Sequence, residues 1–140
     1  MKINDNTIKE LLIPFQEEGE QTPYYCIGVV VATMAQTMIL GAATSLANTY
    51  YILGFTESKL VMIGLDMLGK PSGSAILQYK DIKNVKISNW LLGIGKGIEI
   101  NMVNNSRIKF KINKVVLGAK ITKQGENLIA ICSMLNDKFK

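Results

Sequence analysis

The sequence lacks histidine and has only two cysteines and three prolines in 140 residues. Without histidine, no imidazole can act as base, acid or metal ligand, which excludes Ser-His and Cys-His nucleophile pairs. Cys26 and Cys132 lie far apart among apolar residues, and they form no Cys-x-x-Cys pair that would indicate a zinc or redox site. We interpret both as small buried hydrophobic side chains, since nothing in the pattern requires a disulfide. The sequence predicts no metal and no cofactor.

Paired carboxylates for acid/base catalysis are also missing. The eleven acidic residues are scattered along the chain, and no two of them have a spacing that suggests shared proton transfer. Together with the absence of histidine, this predicts a protein that is not an enzyme.

Charge is distributed unevenly in a chain long enough for one domain with its own core. The composition is 48% hydrophobic and 19% charged, which argues against disorder. Residues 1–70 hold four lysines and seven acids, a net charge of −3, whereas residues 71–140 hold twelve Lys or Arg and four acids, a net charge of +8. An anionic partner would therefore be sought on the C-terminal half.

The N-terminal residues 1–22 are predicted to form a short helix and an acidic loop ahead of the main domain at 23–140. The helix is expected over Asp5 to Phe15, with Asp5 or Asn6 as its cap and Pro14 near its end. The segment lacks the apolar core of a signal peptide, so we expect a cytoplasmic protein.

No charged residue occurs between Gln21 and Thr56. Within this stretch, residues 24–47 are long enough to cross a bilayer as a helix, which takes about 20 residues. The β-branched start favours a strand followed by an apolar insertion at about 33–48, and membrane insertion remains the alternative. The seventeen apolar side chains of residues 24–47 exceed what a small barrel can bury, so we predict self-association through residues 34–46, with Met34, Met38 and Leu46 as candidate contacts.

The rest of the chain has the pattern of an antiparallel meander that ends in one helix. Period-two alternation is clearest where Ile98, Ile100 and Met102 precede an Asn104-Asn105 turn. The predicted strands are Tyr50–Phe55, Lys59–Leu65, Ala75–Tyr79, Val85–Trp90, Ile98–Met102 and Arg107–Ile112. A helix is expected over about 126–138, with an apolar stripe of Leu128, Ile131, Cys132, Leu135 and Phe139. This order predicts a mainly β, α+β fold of two packed antiparallel sheets with the helix at one end.

Two runs resemble bacterial pleckstrin-homology-like (PH-like) domains. The run from Tyr51 to Val61 is similar to their strand, Thr-x-x-Lys/Arg-Leu, strand hairpin, and residues 76–85, with Tyr79-x-Asp81-Ile82, are similar to the strand and turn that follow. The resemblance implies a PH-like antiparallel split barrel capped by a C-terminal helix. It implies a binding or assembly module and leaves the ligand unnamed.

A basic stripe is the main candidate site. Arg107, Lys109 and Lys111 alternate with apolar residues on the last strand, and with Lys96 they form a candidate contact for an anionic membrane surface. Lys83, Lys86 and Lys114 are further candidates for neighbours of this stripe. Solubility and protection of a sheet edge would equally explain such lysines. Nucleic acid is disfavoured because no aromatic residues interleave the stripe. The nearby Gly93-x-Gly95-x-Gly97 is interpreted as a turn, since a strand follows it where a phosphate loop needs a helix.

A second candidate contact is apolar. Trp90, Leu91 and Leu92 adjoin glycine, so they form either an exposed loop tip that contacts protein or membrane, or part of the core. The leading hypothesis is a non-catalytic PH-like binding or assembly module. The alternative is a structural or membrane-associated protein that oligomerises or anchors through residues 24–47.

Overall fold

In the computed structural model, the described residues form a seven-stranded antiparallel sheet, with one helix before it and one after it in the chain. The structure describes residues 3–21, 23–34, 50–66, 68–90, 94–116 and 121–139, without the side chains of residues 31–34 and Trp90. The elements are α1 (Asp5–Leu12), β1 (Tyr24–Met34), β2 (Tyr50–Phe55), β3 (Lys59–Leu65), β4 (Pro71–Gln78), β5 (Ile82–Trp90), β6 (Gly95–Met102), β7 (Arg107–Asn113) and α2 (Gln124–Lys138).

Strand β1 joins the two halves of the sheet, whose order is β4-β3-β2-β1-β7-β6-β5. Its first part pairs with β2 from Tyr24 to Val29, and its second part pairs with β7 from Val29 to Met34. The register shifts between Val30 and Ala32, and such bulges bend a strand. The predicted PH-like, mainly β fold with a C-terminal helix is confirmed, and its two sheets are continuous through the β1–β7 pair.

The main core lies on the inner face of the sheet beneath helix α2. Leu53, Met62, Ile98 and Phe110 from both halves of the sheet belong to one buried cluster. The predicted stripe of α2 completes this cluster with Leu128, Ile131, Cys132 and Leu135, while Phe139 is partly buried. The helical period in the sequence therefore identified the buried face of α2 correctly.

Helix α1 covers the outer face of β1, β2 and β3, which explains why β2 and β3 are apolar on both faces. Ile8 and Leu12 are buried in a second cluster with Ile52 and Val61 of the sheet. A Cβ atom on Gly54 would lie 2.6 Å from Leu12 Cδ2, so glycine lets the helix approach β2 closely. Helix α1 thus shares a core with strands β1 to β3.

The start of α1 differs from the prediction. Asn4, rather than Asp5 or Asn6, caps the helix, because its Oδ1 accepts a hydrogen bond from Thr7 N at 2.9 Å. Asp5 instead accepts hydrogen bonds from the Tyr25 hydroxyl at 2.5 Å and from Thr122 N at 2.7 Å. The sequence could not reveal these partners, since they lie on distant elements.

Two further details of the meander differ. Gly95 and Gly97, predicted within a turn, belong to β6 and pair with β5 and β7. Tyr79, predicted as a strand residue, begins a 3-10 turn over Tyr79–Asp81. Its hydroxyl donates to Thr56 O at 2.7 Å, and its ring meets Phe139 edge-on at 5.9 Å, so it ties the β2–β3 turn to the end of α2.

Candidate anion-binding face

Strands β5, β6 and β7 present one set of alternate side chains to the core and the other set to the outside. Ile98, Ile100 and Ile108 point inward and are fully buried, so their neighbours in sequence point outward. The outward residues form three rows across the strands, which we call the basic face: Asn84–Asn101–Arg107, Lys86–Glu99–Lys109 and Ser88–Gly97–Lys111.

Glu99 lies at the centre of the basic face and organises the charges around it. It is flanked across the strands by Lys86 and Lys109, and its Oε1 lies 3.9 Å from Arg107 Nη1. Asn101 Nδ2 donates to Glu99 Oε2 at 3.3 Å and to Asn84 Oδ1 at 2.8 Å. Glu99 thus has three cationic side chains around it, and with Lys111 in the next row the basic face keeps a net positive charge.

Gly97 allows the side chains of Ser88 and Lys109 to lie close to the backbone of β6. A Cβ at this position would lie 2.8 Å from Ser88 Oγ and 3.7 Å from Lys109 Cε. The aliphatic part of Lys109 therefore lies at contact distance over β6, and a side chain at residue 97 would displace the Ser88 hydroxyl. The sequence did not indicate this role, because the turn predicted from its glycines included Gly97.

The candidate basic residues do not all share this face. Arg107, Lys109 and Lys111 lie on it together. Lys96 lies two residues before the inward-pointing Ile98 on the same strand, so it is on the inner side of the sheet. There its ammonium donates to Asn89 Oδ1. Burial raises the pKa of the Cys132 thiol, and the Lys96 charge partly opposes this shift. Lys96 is therefore not part of the basic face, whereas Lys86, which pairs with Glu99, belongs to it.

Comparison with known proteins adds the family. Residues 17–124 match the family model described as a bacterial PH domain. The chain belongs to the bacterial PH domain family. The matched span covers β1 to β7 and includes the whole basic face. The comparisons with curated proteins and with solved structures gave no match.

The apolar contact residues proposed for this PH domain fall outside what the structure describes. Met38, Leu46, Leu91 and Leu92 belong to undescribed segments. Met34 lies in β1 and Trp90 lies in β5, but their side chains are not described. Apolar contact through these residues stays a prediction. In the described part of the chain, no helix is long and apolar enough to span a bilayer.

Exposed apolar groups do lie at the border of the basic face. A cleft of about 100 Å³ is lined by Val29, Tyr50, Lys111 and Val115 among others. Tyr50 is 42% exposed and Val115 is 69% exposed. The PH domain therefore places an aromatic and an aliphatic side chain in the same cleft as Lys111.

Both cysteines of the PH domain are buried free thiols, as the sequence predicted. Burial, together with the nearby Cys132, raises the pKa of the Cys26 thiol well above its usual value. A buried neutral thiol is a poor nucleophile, so these side chains act as parts of the core. Among the described residues, no three His, Cys, Asp or Glu side chains group together as metal ligands would.

Proposed function

We propose that this PH domain is a non-catalytic binding module whose basic face docks on a membrane surface that carries acidic lipids. The observation behind the proposal is the placement of Lys86, Arg107, Lys109 and Lys111 on one face of the sheet, with Glu99 as the carboxylate among them. Family membership supports a binding or assembly role in general terms. The lack of histidine and the scattered acids support the absence of catalysis.

A lipid surface fits the basic face better than a nucleic acid does. Acidic lipids offer a flat layer of negative charge, and each nearby cation contributes about 1 kcal/mol of attraction. Tyr50 and Val115 at the border add apolar groups suited to the headgroup region. The described basic face itself carries no aromatic residue on which bases could stack.

The basic face has four cationic side chains and one carboxylate, Glu99, so we predict weak, reversible binding that depends on salt. The Debye length is about 10 Å at 0.1 M salt and about 3 Å at 1 M, so added salt should release the domain. Glu99 offsets part of the charge, and this keeps attraction to the surface moderate.

Cosedimentation with vesicles tests the proposal. At low ionic strength we expect the protein to bind phosphatidylcholine vesicles that also contain phosphatidylserine. We expect it not to bind vesicles made only of phosphatidylcholine. The triple substitution Arg107→Ser, Lys109→Ser, Lys111→Ser should weaken binding roughly a hundredfold, since it removes three contributions of about 1 kcal/mol and about 1.4 kcal/mol is a factor of ten.

A matched control removes the same charge elsewhere. The triple substitution Lys9→Ser, Lys70→Ser, Lys80→Ser changes three exposed lysines that do not belong to the basic face. It should weaken binding by much less. Equal losses in both variants would mean that net charge alone attracts the protein, and no binding at low salt would refute the proposal.

A further inference from the structure

Strand β4 is an edge of the sheet whose protection is confined to its start, where Pro71 and a register shift against β3 lie. Among the described strands it pairs only with β3, and its eight residues, Pro71–Gln78, carry no charge. Edge strands are commonly guarded by lysines or other charges because their free backbone groups invite pairing with another chain. At the opposite edge, β5 has Lys83 and Lys86. The β4 edge is thus more open to pairing with a further strand than the β5 edge is.

The direction of the free backbone groups follows from the register. Tyr79 N donates to Ser58 O at 3.0 Å, one residue beyond the Lys59–Gln78 pair. Hydrogen-bonded pairs alternate along an antiparallel ladder. Leu77 and Ala75 therefore bond to β3, whereas the N–H and C=O groups of Ser74, Ile76 and Gln78 point to the open edge.

We propose that β4 pairs antiparallel with β4 of a second copy of this chain, about a two-fold axis at Ile76. Ile76 would face its own counterpart, and Ser74 would face Gln78 on each side. Every outward N–H and C=O group of these three residues would then have a partner. A two-fold pairing brings the same surface of both copies together, and a strand without charges brings no like charges opposite each other.

The residues around the β4 edge favour pairing with a second copy of the chain. Ile76 is 43% exposed on the outer face, next to Val61 of β3, and pairing would cover it with the second Ile76. Gln78 borders a cleft of about 280 Å³ that Val103 and Asp81 also line. In the proposed register the start of the other β4 lies in this cleft. Its residues Ser72, Gly73 and Ser74 are small enough to fit there.

Sedimentation velocity over a range of protein concentrations tests the pairing. We expect the mass to rise from the monomer value of 15.4 kDa towards twice that value. Ile76→Lys should abolish the rise, because it sets two ammonium groups opposite each other across the axis. The matched control Ile129→Lys, at a residue of α2 that is 67% exposed, should behave as the unmodified protein does.

Cross-linking tests the register. Paired residues in a hydrogen-bonded position have Cα atoms about 5.5 Å apart, which a disulfide can span. Under mild oxidation, Ile76→Cys should form a covalent dimer. Ser74→Cys should form one only when mixed with Gln78→Cys. The native cysteines are buried and should contribute little.

Three results would overturn the proposal: a monomer at all concentrations, a dimer that Ile76→Lys leaves intact, or equal cross-linking of Ile76→Cys and Ser74→Cys alone. The second would place self-association on another surface. If Ile76→Lys unfolds the domain, as circular dichroism would reveal, the cross-linking experiment decides.

Discussion

At the scale of single residues, Gln124 fastens helix α2 to the sheet. Its side chain accepts a hydrogen bond from Ile27 N at 3.0 Å and donates to Ile27 O and Asn113 O, each at 2.9 Å. These backbone groups lie just beyond the end of the β1–β7 pairing, which stops at Val29 and Lys111. Gln124 thus takes the place of a further strand partner where the two strands separate.

Gln124→Ala should therefore destabilise the domain by roughly 2–4 kcal/mol, because each buried backbone group left without a partner costs about 1–3 kcal/mol. Denaturant unfolding followed by circular dichroism gives this value. Gln21→Ala, at an exposed position, is the control and should change stability by under about 0.5 kcal/mol. Equal effects would mean that solvent replaces the hydrogen bonds of Gln124.

Asp5 should make stability depend on acid pH. Partial burial favours a higher pKa for its carboxyl, but hydrogen bonds from Tyr25 and Thr122 outweigh this and hold the pKa below the ordinary 3.8. A carboxylate with a lowered pKa stabilises the fold above its unfolded pKa, and this contribution is lost as pH falls through the folded pKa. The unmodified protein should be more stable than Asp5→Asn at pH 7, and the difference should shrink on acidification below about pH 4.

The comparison needs unfolding curves at several pH values. Glu10→Gln, at an exposed residue of the same helix, controls for the loss of one negative charge from α1. A constant difference between Asp5→Asn and the unmodified protein from neutral to acid pH would contradict the role assigned to the Asp5 carboxylate.

At the scale of secondary-structure elements, α1 makes a particularly close contact with β2. Leu12 is fully buried above Gly54. Leu12→Ala should cost about 2–5 kcal/mol, and Gly54→Ala about 1–3 kcal/mol because the added methyl group overpacks the same site.

Combining the two substitutions should cost clearly less than the sum of the single effects, since the methyl group at Gly54 fills space that Leu12 vacates. Unfolding free energies of both single variants and the double variant give the coupling. Strict additivity would show that α1 and β2 do not meet at this contact.

Helix α2 should stabilise the domain through its buried stripe. Leu135 is 1% exposed and belongs to the main core, so Leu135→Ala should cost about 2–5 kcal/mol. Ile129→Ala, on the 67% exposed side of the same helix, should cost far less. Thermal or denaturant unfolding measures both, and a loss below about 0.5 kcal/mol for Leu135→Ala would mean that the stripe is not part of the core.

At the scale of the whole molecule, local patterns predicted the elements well because period and turn chemistry act over a few residues. The bounds Tyr50–Phe55 and Lys59–Leu65 were found as they occur in the structure, and Thr56 forms the expected turn through its hydroxyl. The position of α1 on the outer face was missed, since it depends on tertiary contacts with β2 and β3. Their apolar residues on both faces were the available signal.

The candidate site was predicted only in part for a similar reason. Alternation placed Arg107, Lys109 and Lys111 together correctly. The same alternation, extended back from Ile98, would have put Lys96 on the inner side, but the turn predicted at Gly95–Gly97 interrupted it. Lys86 joins the basic face through cross-strand pairing with Glu99, and a single sequence does not specify that register.

The central claim is that the basic face is the surface that meets acidic lipid. NMR spectra of the labelled protein, recorded with and without nanodiscs containing phosphatidylserine, test this most directly. We predict that backbone amide signals of residues 84–88, 97–101 and 107–111 shift or broaden first, together with that of Tyr50. Perturbation centred instead on helix α2 or on residues 56–58, with the basic face unchanged, would contradict the claim.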